Sequence, residues 1–213
     1  MESQSPKYAV FTFFCKNGCP PCNAFKGLPP STRGKLMTKE EEEQERQLIS
    51  KGPWGQLSKD PELNKMGVEF IMFKFGAIQN DKGEMVDVLE IPPIYQDRVK
   101  YAPYLELRLP NDLTQGEAYN GDRQDWRNVK KWIIQQLNSK KYQDYKRQVD
   151  RGEIEPTTKA DIRKDMENAI NEPKPDQIQV TNPRAATVSG MGTQPTPKII
   201  QVGQTKRFLP SNK

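Results

Sequence analysis

Histidine is absent from this chain. That removes the commonest proton-transfer group at neutral pH and one of the usual zinc ligands. Long apolar runs are missing too: nothing approaches the roughly 18 consecutive apolar residues of a membrane-spanning helix. The opening MESQSPKYAV lacks the basic and apolar regions of a secretory signal, so the expectation is a soluble, intracellular protein. Cysteine is scarce, with three residues, all between Cys15 and Cys22. They close only small loops and cannot serve as the disulfide framework of a secreted domain. Acidic residues are absent from Gln177 to Lys213, where five basic residues account for the whole net charge of +5. The first 176 residues are therefore neutral on balance. This argues against a nucleic-acid-binding globular domain and leaves a modestly basic tail suited to phosphates or an acidic protein surface.

With 34% hydrophobic residues, 29% charged residues and 18 prolines, apolar side chains cannot fill one compact globule of this length evenly. They concentrate in Tyr8 to Phe14, Val68 to Phe75 and Trp126 to Leu137, and after residue 150 aromatics disappear until Phe208. The expected organisation is a folded domain over 1–148, with a core about 8–138 and an insertion about 31–67. A Pro-rich basic tail over 149–213 follows, carrying one short helix.

Tyr8 to Phe14 reads as an inner strand. A helix begins at the cysteines, since Pro20 and Pro21 suit a first turn whose N–H groups have no partner to lose, and Gly27 and Pro29-Pro30 end it. Thr38 and Glu41 form a capping box before the acidic run, and Asp60-Pro61 starts another helix that ends at Gly67. GVEFIMFKFG is a second inner strand; NDKG is a turn, and EMVDVLEI, YLELRLP and GEAYNG are later strands. Trp126, Val129, Ile133 and Leu137 hold helical spacing. A strand, a helix and a second inner strand imply a βαβ crossover, and the later strands add antiparallel pairing to a mixed sheet.

The cysteine cluster has two chemistries to choose between. C-x3-C-x2-C without histidine leaves only a carboxylate or water as fourth zinc ligand, so neither metal nor cofactor is expected. Cys19 and Cys22 instead sit as a dithiol between a buried strand and a helix. A sulfur at a helix N-terminus lies near the positive end of the dipole and near N–H donors, which favours the attacking thiolate. Cys22 is one turn further in, where it resolves a mixed disulfide formed at Cys19.

The segment Cys19-Pro20-Pro21-Cys22, the segment VKYAPYLELRL and the segment GEAYNGDRQDWRNVKKWIIQQL together resemble the thioredoxin fold, over about residues 8–138. The resemblance implies a mixed α/β sheet flanked by helices and a cis Ala102-Pro103 bond facing the dithiol, with Pro103 shaping a substrate groove. It also implies Cys19 as nucleophile and Cys22 as resolver. Two positions depart from the family pattern: Gly18 stands where an aromatic residue usually precedes the first cysteine. Phe13 stands where many thioredoxins keep a buried acid. The spacer Pro20-Pro21 removes two N–H donors from the helix start.

Plainer expectations cover the rest. Cys15 is a buried small side chain, the EEEEQER run a solvated helix face, and KKYQDYKRQ an exposed extension of the last helix. Trp54 and Trp132 lie outside the core stripe and mark a contact surface. TTKADIRKDMENAINE is a helix capped by Thr157 or Thr158, with Ile162, Met166 and Ile170 on one face. In the tail, KIIQV is suited to strand addition on a partner.

Two functions fit. One is a thioredoxin-like structural protein whose tail binds neighbouring subunits of a large assembly, similar to the extended arms of minor capsid proteins of large DNA viruses, with its dithiol retained. The virion then joins the cytoplasm as its location. The other is a thiol-disulfide oxidoreductase acting on protein disulfides.

Overall fold

A computed structural model describes residues 5–171 except Gln124. The tail motifs QIQV, KIIQV and RFLP lie outside the described residues. Ala9–Lys16 forms strand β1, and its first seven residues are buried. Val68–Gln79 forms β2, Met85–Leu89 β3, Tyr104–Arg108 β4 and Gly116–Ala118 β5. They make one mixed sheet in the order β3-β2-β1-β4-β5. β1 runs parallel to β2, and the other pairs are antiparallel.

β1 is covered on both faces, which explains its unbroken apolar run. Strand alternation sends Phe11, Phe13 and Cys15 to one side, into a cluster with Cys22, Phe25, Trp54, Leu105 and Ile133, and sends Phe14 to the other, against Tyr95, Tyr104 and Met166. Burying each large side chain stabilises the fold by about 1.5–3 kcal/mol.

The first face is built by helices α1 (Pro20–Lys26), α2 (Lys39–Lys51), α3 (Pro53–Ser58) and α4 (Pro61–Lys65), which lie between β1 and β2, and by α6 (Trp126–Leu137), which follows α5 (Pro93–Gln96). Thr38 and Glu41 cap α2 reciprocally. Gly27 ends α1 at φ 83°, and a Cβ there would stand 2.5 Å from the Cα of Gly52. Two glycines in contact thus let the end of α1 meet the start of α3. This seats Trp54 under the sheet, stacked on Phe11 and tilted against Phe13.

Several expectations change. Trp54 is core rather than contact surface, and Trp132 is partly buried against Phe11 and Tyr119. Residues 140–148 do not extend α6: Lys140–Asp150 is a separate helix, α7, because the chain turns at Asn138 and Ser139. Tyr142, Tyr145 and Val149 line its buried face. Lys159–Asn171 forms α8, started by Thr158, whose Oγ1 accepts from the Asp161 amide while Asp161 Oδ2 accepts from the Thr158 amide. Its Ile162 and Met166 are buried, and α8 packs on α5. α8 thus belongs to the same compact unit as the sheet.

β4 does not alternate between core and solvent. Glu106 and Arg108 are both fully buried. Arg98 donates to both Glu106 oxygens at 2.9 and 3.1 Å and to the carbonyls of Leu113 and Thr114. Arg108 donates to the carbonyls of Leu109, Pro110 and Asp112. One guanidinium thus ties the segment before β4 to the loop after it.

Candidate active site

Cys19 is the N-cap of α1 in extended backbone, with Pro20 and Pro21 opening the helix. Its carbonyl accepts the first helical bond, from Asn23 at 2.9 Å. Asn23 is itself buried and donates through Nδ2 to the carbonyls of Pro30 and Thr32. The turn that presents the cysteine is thereby fixed from below.

The Ala102-Pro103 bond is cis. Cys19 Sγ donates to the Ala102 carbonyl at 3.8 Å. Beside this contact runs an open groove of about 760 Å³, lined by Pro20, Pro21, Phe25, Ala102, Pro103 and Arg123 among others. All six residues singled out for the site, Cys19, Cys22, Pro20, Pro21, Ala102 and Pro103, come together at this end of the sheet. The groove's apolar walls and the carbonyl at its edge suit an extended peptide chain.

Cys19 is half-buried, while Cys22 and Cys15 are fully buried, and all three thiols are free. Cys15 and Cys22 lie in one buried cluster, and Cys19 packs against it. Interaction with Cys15, with burial next, pushes the Cys22 thiol far above the usual range, so Cys22 holds its proton. The same interaction, aided by Lys26 and Lys74, lowers Cys15 against the opposing effect of burial. Glu45 ties the two lysines together, at 3.8 Å from Lys26 and 2.9 Å from Lys74. The acidic run is thus not wholly a solvated face: Glu45 points inward, to the cations beside Cys15.

The shared burial of Cys15 and Cys22 goes beyond reading Cys15 as a small buried side chain; its signal is the alternation of β1, which puts Cys15 on the Phe11 and Phe13 side, where α1 lies. Among the described residues, no group of three or more His, Cys, Asp or Glu side chains is arranged to hold a metal ion. Residues 34–36 of the insertion bond to Gln79 at the end of β2, with Leu36 N–H on the Gln79 carbonyl and Gln79 N–H on the Gly34 carbonyl. Among the described residues, no helix is long and apolar enough to cross a membrane.

Compared with protein-family models, with curated proteins and with solved structures, the chain matches none.

Proposed function

We propose that this is a thioredoxin-like domain performing thiol-disulfide exchange on protein substrates, with Cys19 as nucleophile and Cys22 as resolver. The observation that carries the reading is the approach of Cys19 Sγ to the Ala102 carbonyl beside an apolar open groove. A substrate chain lying in that groove brings its disulfide to the half-buried sulfur. Cys19 thiolate attacks one substrate sulfur, and the other leaves as thiolate. Cys22 then attacks Cys19 Sγ and releases the first substrate sulfur, so one substrate disulfide becomes two thiols while Cys19 and Cys22 become a disulfide. Cys22 must lose its proton for that step. With Phe13 rather than a carboxylate at that place on β1 and histidine absent, the base at hand is the substrate thiolate released in the first attack. Insulin reduction with dithiothreitol as electron donor tests this: turnover lost in Cys19→Ser supports it, and wild-type protein no faster than dithiothreitol alone refutes it.

A second reading has its own observation. The outer strand β3 exposes Met85, Val86 and Val88, at 66%, 50% and 47%. Among the described residues β3 pairs only with β2, and an open strand edge with apolar side chains favours pairing with another chain, as expected of a component of a large assembly. Charging this edge with Val86→Lys and Val88→Lys, followed by size measurement of native complexes, tests that role independently of the dithiol.

A further inference from the structure

We infer that Cys15 is a second disulfide partner for Cys22, so that the three cysteines form a relay between a surface pair and a buried pair. The inference rests on the exchange reading of Cys19 and Cys22 and adds a residue to it. Three features carry it. β1 alternation places Cys15 on the face where Phe13 meets Phe25 of α1, edge to face at 5.1 Å. Cys22 lies on that same short helix, one turn before Phe25, and is fully buried in the same cluster as Cys15, with Cys19 packed against that cluster. Lys26, 4% exposed, and Lys74 bring positive charge to Cys15, and both are held by Glu45. A thiolate beside fixed cations is the attacking form of cysteine.

The step is internal and balanced. After one substrate disulfide has been reduced, Cys19 and Cys22 are joined. Cys15 thiolate attacks Cys22 Sγ, the Cys15–Cys22 bond forms, the Cys19–Cys22 bond breaks, and Cys19 leaves as thiolate. No outside oxidant is consumed, because the oxidising equivalents came from the substrate. The product keeps its disulfide between two fully buried sulfurs while the half-buried Cys19 is free again. Reduction of the buried bond then has to pass back through Cys19, since neither buried sulfur meets solvent. The protein would thus retain a disulfide and still present a nucleophile to a second substrate.

Tryptic mapping separates the two states, because cleavage after Lys7, Lys16 and Lys26 leaves Cys15 on one peptide and Cys19 with Cys22 on the next. The full-length reduced protein is treated with oxidised glutathione, acid-quenched, alkylated and digested. The expected result is the peptide 8–16 joined to the peptide 17–26, with Cys19 alkylated, and loss of that joined pair in Cys15→Ala. A disulfide confined to the peptide 17–26 in the wild type overturns the relay and leaves the exchange reading standing. A joined pair with Cys22 alkylated also overturns it. Absence of any intrachain disulfide overturns both. The decisive comparison is made within the wild type, so it survives misfolding of the variant.

Discussion

Cys19 donates to the carbonyl of Ala102, 83 residues further along the chain, at 3.8 Å. The contact joins the start of α1 to the segment leading into β4, and it sets one edge of the groove.

The buried pair Arg98 and Glu106 holds the segment that carries Ala102. Glu106 is fully buried and accepts two bonds from Arg98. Arg98→Ala leaves that carboxylate uncompensated, and a broken buried pair costs about 3–5 kcal/mol. Urea denaturation should show a loss in this range, and the companion Glu106→Gln, which keeps a polar group of the same shape, should lose less. Equal losses would remove the charge argument.

Asp60 links α4 to α6. Burial pushes its carboxyl up, but the bond from Lys130 and the amides of Leu63 and Glu62 outweigh it and hold the group below its ordinary value. A depressed folded value means that the stabilisation is present above about pH 4, the unfolded range, and is lost as pH falls through the folded value. Asp60→Asn should flatten the acid limb of a stability profile. Asp60→Ala also removes the cap and should cost about 0.5–2 kcal/mol at neutral pH.

Pro20 and Pro21 withhold two N–H groups from the helix end that faces Cys19. Pro21→Ala restores one of them. Alkylation of Cys19 by iodoacetamide at pH 7 should then accelerate about two- to fivefold, equivalent to roughly 0.4–1 kcal/mol of added thiolate stabilisation at a helix N-terminus. An unchanged or slower rate would show that the spacer does not restrain the nucleophile.

These sites differ in how readily the sequence discloses them. β1 and α1 are legible because an apolar run and two prolines at a helix start each have one strong local meaning. Thr38 with Glu41, and Asp60 before Pro61, announce helix starts for the same reason. Glu106 and Arg108 mislead, since a charged residue in an alternating strand looks like its wet face until Arg98 and the loop carbonyls supply partners from elsewhere. KKYQDYKRQ hides a buried face because lysines and arginines outnumber Tyr142 and Tyr145, and only the turn at Ser139 reveals a new helix. Trp54 depends on a close approach of Gly27 and Gly52 that no local pattern encodes. Cys15 lay within reach: counting alternate residues along β1 from Phe13 puts it on the α1 side.

The central claim, that Cys19 is the exchange nucleophile and Cys22 its resolver, is tested most directly by trapping. Full-length Cys22→Ser is incubated with a disulfide-bonded protein such as insulin, quenched in acid and analysed by mass under non-reducing conditions. The predicted result is a covalent adduct through Cys19 that wild-type protein does not accumulate and that Cys19→Ser with Cys22→Ser cannot form. An adduct that persists without Cys19, or none in Cys22→Ser, would contradict the assignment.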